Sequence, residues 1–211
     1  MNKRKTENEA PVRFRKIERE WNDLKIMHSF EYTCGYCGNK IASEKGYWGT
    51  KPHSSIVSFY IYICHKCNMP TYTDNYGNQL PEAPFGNPVQ AIFSEHVHIL
   101  YEEARNCMKV RAYTAAVMCC RKLLMNIAVS EGAKEGLNYV KYIEFLKSKG
   151  FVPPKGGPWV DHIRTKANQA NHEIEIMKRE DAETLLTFAE MLLKFIYEIP
   201  ALSDKQLETP K

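Results

Sequence analysis

The sequence has no apolar run long enough to cross a bilayer, and it does not begin with a secretory signal. A membrane-spanning helix needs roughly 20 consecutive apolar residues, and no segment of this chain approaches that length. The N-terminal stretch MNKRKTENEAPVRFRKIE contains basic side chains but no apolar core, unlike a signal peptide. These features predict a cytoplasmic protein with no membrane partner.

The sequence also has only a small excess of charge of one sign. The 211 residues include 29 lysines and arginines against 25 aspartates and glutamates, which leaves a formal net charge of only +4. So small an excess does not by itself indicate nucleic-acid binding. The length and the hydrophobic content of 44% fit one ordinary globular domain or two small ones.

Cysteine, in contrast, is present in a pattern that suggests a metal site. Four of the seven cysteines form two Cys-x-x-Cys pairs, and in a cytoplasmic chain this spacing indicates metal ligands rather than disulfides. The four are Cys34, Cys37, Cys64 and Cys67. Four thiolates close a tetrahedral zinc site and leave no position for a catalytic water. We therefore predict a structural Zn²⁺, with His28, His53 and His65 as bystanders.

The residues around each cysteine pair read as a small β structure. Tyr32 and Thr33 lead into the first pair, and the β-branched and aromatic run IVSFYIYI (56–63) leads into the second. Gly38 and Asn68, which follow the pairs, tolerate the positive φ that turns backbone N–H groups toward cysteine sulfurs. The pattern predicts a zinc ribbon. Its tyrosines, Tyr36, Tyr60 and Tyr62, either stack on bases or pack a small β core.

Apolar side chains recur at three- and four-residue intervals through the second half of the chain, which predicts five helices in an antiparallel bundle. Ser94 and Asn138 are expected N-caps, and the last helix is expected to end before Pro200. The predicted segments are 1–29 (basic lead-in and short helix), 30–75 (zinc ribbon), 76–93 (proline-rich linker), 94–200 (helical domain) and 201–211 (disordered tail). The basic lead-in is either an arm that touches nucleic acid or a solubilising tail.

A row of polar side chains marks the fourth predicted helix, WVDHIRTKANQANHEI (159–174). Arg164, Asn168 and His172 fall at i, i+4 and i+8, so they share one helix face. A guanidinium, a carboxamide and an imidazole in one row fit two roles. They either bind phosphate or form a polar network that fixes the packing of the bundle.

Three further runs carry a resemblance to a known family: EEARNCMKVRAYTAAVMCCRKLLMNI (102–127), WVDHIRTKANQANHE (159–173) and EDAETLLTFAEMLLKFIYEIP (180–200). With the cysteine pairs and the linker motif LPEAPFG, they resemble a bacterial domain of unknown function. That domain occurs behind a zinc ribbon or attached to restriction-endonuclease subunits, and it is grouped with the HEPN (higher eukaryotes and prokaryotes nucleotide-binding) superfamily. The resemblance implies an α+β protein, a β zinc ribbon followed by a HEPN-like bundle.

Many members of that superfamily are metal-independent ribonucleases of toxin–antitoxin and phage-defence systems that work as dimers. Their signature is an arginine, a polar residue, three further residues and a histidine. Asn168 and His172 match the polar and histidine positions, whereas Ala167 stands at the arginine position. In a dimer, Arg164 of one chain is the substitute cation for His172 of the other, and Arg121 is a second candidate phosphate contact that the resemblance favours.

Three functions follow as hypotheses. The first, which Ala167 favours, is a zinc-binding, nucleic-acid-associated module without chemistry of its own. It would form a homodimer and engage RNA, DNA or a restriction or defence nuclease subunit. The second is a metal-independent endoribonuclease in which His172 is the general acid/base. The third is a sensor that binds a nucleotide or another small ligand in the same polar groove.

Overall fold

A computed structural model describes residues 20–152, 160, 161, 163, 165 and 176–207. The chain divides into two compact units, Met1–Ala83 and Pro84–Lys211, called here the sheet unit and the helical unit. The first contains a five-stranded antiparallel sheet and the second contains helices, so the predicted mixed α+β class is confirmed. Among the described residues, the helices lack the length and apolar content needed to cross a bilayer.

The sheet is a simple meander in which each strand pairs with the next. Its strands are β1 (Lys25–Thr33), β2 (Lys40–Thr50), β3 (Val57–Ile63), β4 (Pro70–Asp74) and β5 (Gln79–Leu80). Trp48 lies opposite Tyr60, which lies opposite Thr73. Because directly paired residues of antiparallel strands point to the same face, these three side chains share one face of the sheet.

The sheet curls strongly, so that its first strand returns over the face of its third. The pairing register of β1 shifts between Ile26 and Phe30, and such a bulge bends a strand. The ring of Phe30 stacks on that of Tyr62, with centroids 5.2 Å apart. Gln79 of β5 donates a side-chain hydrogen bond of 2.9 Å to the carbonyl of Thr33 at the end of β1. The two edge strands therefore approach each other.

The short helix predicted to run to about residue 26 is wrong over the described residues. Residues 20–24 are not helical, Asp23 has a φ of +55°, and β1 begins at Lys25. Trp21 instead donates its indole N–H to the carbonyl of Asn68 at 3.0 Å. The apolar spacing of Trp21 and Leu24 thus reflects packing on the sheet rather than a helix face. Residues 1–19, with the basic lead-in, lie outside the described residues.

The described part of the helical unit forms four helices rather than five. They are α1 (Glu95–Lys109), α2 (Tyr113–Ser130), α3 (Tyr139–Ser148) and a continuous run made of α4 (Arg179–Leu193), a π-helical turn (Lys194–Glu198) and α5 (Ile199–Leu207). Ser94 and Asn138 cap α1 and α3 as predicted. Of the fourth predicted helix (159–174), the described residues Val160, Asp161, Ile163 and Thr165 are helical.

The last helix continues past Pro200, which corrects its predicted end and, over residues 201–207, the predicted disordered tail; residues 208–211 lie outside the described residues. Residues 201–207 are helical, and Pro200 is the second residue of α5. Proline is tolerated in the first turn of a helix, because the N–H that it lacks is not needed there. The wider π-helical turn before it allows the chain to restart its hydrogen-bond pattern at that point.

The core of the helical unit surrounds α2, which packs against α1, α3 and α4. The segment that precedes α1 is also fixed to the helices. Arg105 donates from Nε to the carbonyl of Phe85 at 3.2 Å, and Tyr101 donates to the carbonyl of Asn87 at 2.6 Å. The carboxylate of Glu190 accepts the backbone N–H and the side-chain amide of Asn87, each at 2.9 Å. These bonds satisfy polar groups that a loop would otherwise leave unpaired.

Candidate metal centre

The two cysteine pairs lie in equivalent turns of the sheet unit and bring their sulfurs together. The first pair lies between β1 and β2 and the second between β3 and β4. The Sγ atoms of Cys34 and Cys67 are 3.7 Å apart, and those of Cys37 and Cys64 are 3.8 Å apart. All four Sγ atoms lie within 4.8 Å of one another. This cluster can hold a metal ion.

Matching hydrogen bonds shape both turns. In the first, Gly38 donates its N–H to the carbonyl of Cys34 at 2.8 Å, and Cys34 donates to the carbonyl of Asn39 at 3.0 Å. The second turn repeats both bonds 30 positions later, at 2.7 and 3.0 Å, with Cys64, Asn68 and Met69 in the equivalent places. Gly38 has a φ of +70° and Asn68 a φ of +59°, so the predicted left-handed conformation is confirmed at both positions.

Backbone N–H groups hydrogen-bond to the cysteine sulfurs of the first turn. The donors lie within two positions of Gly38, which has the left-handed conformation. Cys34 receives the N–H groups of Cys37 and Tyr36, although burial still raises the pKa of the Cys34 thiol. Burial also raises the pKa of Cys67. For Cys37, burial is outweighed by the side chain and N–H of Asn39, and the pKa falls to about 7. Four neighbouring thiolates repel one another unless a cation lies between them.

The sulfur geometry fits zinc. Zn–S bonds of about 2.3 Å at a tetrahedral centre give S–S edges of about 3.8 Å, and the separations of two sulfur pairs here are 3.7 and 3.8 Å. A disulfide needs about 2.05 Å between sulfurs, and all four cysteines are free. A set of four soft thiolates is typical of zinc or iron–sulfur sites and unsuited to magnesium or calcium.

The three histidines of the sheet unit stand apart from the cluster, which among the described residues contains cysteines alone. His65, between two of the cysteines, is exposed. His28 is within 2.9 Å of the hydroxyl of Tyr62 through its Nε2. His53 lies in the loop between β2 and β3 with a φ of +58°.

The tyrosines predicted to stack on bases divide between core and surface. Tyr62 is fully buried, whereas Tyr36 and Tyr60 are partly buried against the same small core. The large exposed aromatics of the sheet unit are others. Trp48 is 49% exposed, Tyr72 42% and Tyr76 91%. The sequence did not identify them, because the alternation of side chains along β2 and β4 does not show which face of a curled sheet is exposed to solvent.

The predicted polar row of Arg164, Asn168 and His172 lies outside the described residues, and so does Ala167. Nearby, Val160 and Ile163 are buried and Asp161 and Thr165 are exposed. The described positions are therefore amphipathic, as a core-facing helix should be. The role of the row remains a prediction.

Arg121, the other candidate phosphate contact, lies against α3. Its guanidinium carbon is 4.2 Å from the centroid of the Tyr139 ring, a cation–π contact. Burial lowers the pKa of Arg121, and Tyr139 is itself buried. Arg121 thus links α2 to α3, and its phosphate role remains a prediction.

These features define a mixed α+β protein with a four-cysteine cluster in its sheet and a separate helical unit. Residues 102–209 match the family model described as a domain of unknown function, DUF4145, so the chain belongs to that family. The matched region begins within α1, and the cysteine cluster lies outside it. Comparison with the curated proteins and with the solved structures gives no match.

Proposed function

We propose that the protein is a zinc-binding module whose sheet unit, a zinc ribbon, binds single-stranded nucleic acid without performing chemistry at the metal. The metal ligands are Cys34, Cys37, Cys64 and Cys67. The observation that supports the zinc site is the repetition of one turn geometry 30 residues apart, which brings four sulfurs within 4.8 Å of one another. With all four positions taken by thiolates, the ion has a structural role.

The sheet unit needs such an ion because its own core is small. Its buried cluster consists of Tyr32, Ile41 and Tyr62 with Cys34 and Cys64. Structural zinc sites contribute apparent binding free energies of about 10–16 kcal/mol near neutral pH, and that energy is available for folding. Zinc would therefore hold together the turns that set the curvature of the whole sheet.

Exposed aromatic rings support the nucleic-acid role. Trp48 stands directly across the strand pair from Tyr60, and Tyr76 projects from the turn between β4 and β5. Exposed aromatics on a rigid β framework are typical of single-strand binding, where each stacked base contributes about 1–3 kcal/mol. The net charge of +4 is small, so we expect stacking to dominate and the salt dependence to be shallow.

The family resemblance adds two expectations about the setting. It points to a homodimer through the HEPN-like helical unit, and to a role in restriction or phage defence beside a nuclease subunit.

The endoribonuclease hypothesis rests on Arg164 and His172. It is tested by RNA cleavage with the zinc-loaded protein beside His172→Ala and Arg164→Ala.

The nucleic-acid proposal is tested by fluorescence anisotropy with single-stranded and duplex oligonucleotides of the same sequence. We expect tighter binding of the single strand and a loss of about 5- to 100-fold in Trp48→Ala, the range that corresponds to one stacked base. Phe93→Ala, which removes a ring that is 85% exposed in the helical unit, is the matched control and should bind normally. Equal binding of duplex and single strand, unaffected by Trp48→Ala, would contradict the proposal.

A further inference from the structure

The concave side of the curled sheet contains a cavity of about 340 Å³. β1, β3, β4 and the turn after β4 all contribute to it. The lining residues on which the argument depends are His28, Tyr60, Tyr62, Thr73, Asp74 and Asn75. This volume is at the small end of the range of roughly 300–1,000 Å³ for small-molecule sites.

The walls of the cavity are aromatic and already held in place. The ring of His28 meets that of Tyr60 edge-on, with centroids 4.8 Å apart and planes at 84°. Tyr60 in turn stacks on Tyr62 at 5.8 Å and 27°. The hydroxyl of Tyr62 lies 2.9 Å from Nε2 of His28. Each ring thus fixes its neighbour, so a planar ligand would meet an aromatic surface that is already ordered, with little ordering cost.

The rim of the cavity is polar and equally well fixed. Asn75 donates its side-chain amide to the carbonyl of Val57 at 2.7 Å, which ties the turn to the start of β3. One oxygen of Asp74 accepts the N–H groups of Tyr76 and Asn78, both at 2.9 Å. The other oxygen of Asp74 accepts the side-chain amide of Asn78 at 2.8 Å. The carboxylate of Asp74 and the amide of Asn75 thus lie next to the aromatic walls, whereas Thr73 is almost fully buried.

The charge of the lining excludes one class of ligand. Among the described residues that line the cavity there is a carboxylate, Asp74, and neither lysine nor arginine. A phosphate would meet a negative rim with no cation to bind it, which is unfavourable. A neutral planar group with an amino substituent would meet the carboxylate favourably, because the amino hydrogens carry partial positive charge.

We propose that this cavity binds one unpaired nucleobase, with its sugar and phosphate outside, and prefers bases that carry an exocyclic amino group. The inference rests on the proposed single-strand function and identifies the base-reading site of that surface. Two exposed rings are adjacent to lining residues: Trp48 is the cross-strand partner of Tyr60, and Tyr76 follows Asn75 in the sequence. Bases that flank the bound one would stack on these exposed rings.

The test titrates the zinc-loaded full-length protein with cytidine, adenosine and uridine, and follows the His28 ring and the amides of residues 73–77 by NMR. We expect shifts confined to the cavity, with cytidine and adenosine binding more tightly than uridine. Cytidine monophosphate should bind no more tightly than cytidine. His28 is exposed, so His28→Ala should fold, and it should weaken cytidine binding about tenfold, as expected for one lost ring contact.

The experiments can contradict the single-strand function and the base site independently of each other. If oligonucleotides bind and Trp48→Ala weakens them, but nucleosides shift no cavity residue, the base site is wrong and the single-strand function stands. If cytidine binds in the cavity but oligonucleotides do not bind, the base site is right and the single-strand function is wrong. A cavity that binds a tyrosine-containing peptide in preference to cytidine overturns the inference and indicates a protein partner. The variant Tyr60→Phe keeps the aromatic ring and removes only the hydroxyl. It therefore distinguishes an effect of the missing hydroxyl from an effect of unfolding.

Discussion

The sheet unit and the helical unit are each stabilised internally by different forces. In the helical unit, apolar side chains such as Leu123, Leu146 and Leu185 are fully buried among all of the described helices. In the sheet unit, cysteines make up part of a much smaller buried cluster. Burial of apolar surface contributes about 25 cal/mol per Å², so apolar burial stabilises the helical unit more than the sheet unit. The comparison predicts that each unit responds to a perturbation that leaves the other unchanged.

The largest expected effect is loss of the sheet unit when a ligand is removed. Cys34→Ser should abolish zinc binding and unfold the strands, because under our proposal the metal supplies most of the free energy of folding there. Mass spectrometry for zinc content and NMR for the sheet amides provide the readouts. Cys107→Ser is the matched control, since Cys107 is outside the cluster. Zinc loss in the control, or a folded zinc-free Cys34→Ser, would break the comparison.

The next largest effect concerns the core of the helical unit. Leu123 is fully buried on α2, and Leu123→Ala should lower the free energy of unfolding by about 2–5 kcal/mol because it leaves a cavity. Denaturant unfolding followed in the helical unit measures the change. Met118→Ala, a partly exposed site on the same helix, should cost less than about 0.5 kcal/mol. Zinc content should be the same in both variants.

A smaller effect is expected where Glu190 fixes the segment before α1. Burial alone would raise its pKa, but hydrogen bonds from Lys194 and Asn87 outweigh burial and hold the pKa of Glu190 below its ordinary 4.5. Glu190→Ala should cost about 1.5–3 kcal/mol, since these bonds involve a charged group. The control is Glu183→Ala, whose exposed pair with Arg179 contributes under about 1 kcal/mol.

The sign of the pH dependence follows from that depressed pKa. The contribution of Glu190 is fully present above about pH 4.5 and is lost as the pH falls through the lower pKa of the folded state. Wild type and Glu190→Ala should therefore differ between pH 5 and 7 and converge as the pH falls through the depressed pKa of the folded state. Hydrogen exchange of α1 reports on this unit alone. A constant difference down to pH 3 would show that the carboxylate charge is not the cause.

The smallest effect tests the turns around the cysteines. Gly38 has a positive φ, and a side chain in that conformation costs about 1–2 kcal/mol. Gly38→Ala should thus weaken zinc binding by about five- to thirtyfold, which is that energy expressed as an affinity ratio. Asn68→Gly places glycine at the equivalent position of the second turn and should leave zinc affinity unchanged or slightly higher. Equal losses in both variants would contradict the argument.

Local chemistry explains what could be predicted from the sequence. The cysteine spacing, the positive φ at Gly38 and Asn68 and the caps at Ser94 and Asn138 each depend on a few adjacent residues, and the structure agrees with them. The helix over Trp21 and the end before Pro200 were wrong because non-local packing and the π-helical turn override local preference.

The candidate base site shows what could not be predicted from the sequence. His28 was expected to be a bystander to the metal, and it lies outside the four-cysteine cluster, yet it forms a wall of the cavity. That wall exists because a bulge in β1 bends the strand back over Tyr60 and Tyr62. Curvature of this kind results from contacts between distant strands, so no local pattern in the sequence indicates it.

The most direct test of the account combines metal analysis with hydrogen exchange before and after a chelator at neutral pH. We predict one zinc ion per chain. After chelation, protection should be lost across β1 to β5 and kept across α1 to α3 and α4. The account would be contradicted by a chain that binds no zinc, or by a sheet unit that keeps its protection after the metal is removed.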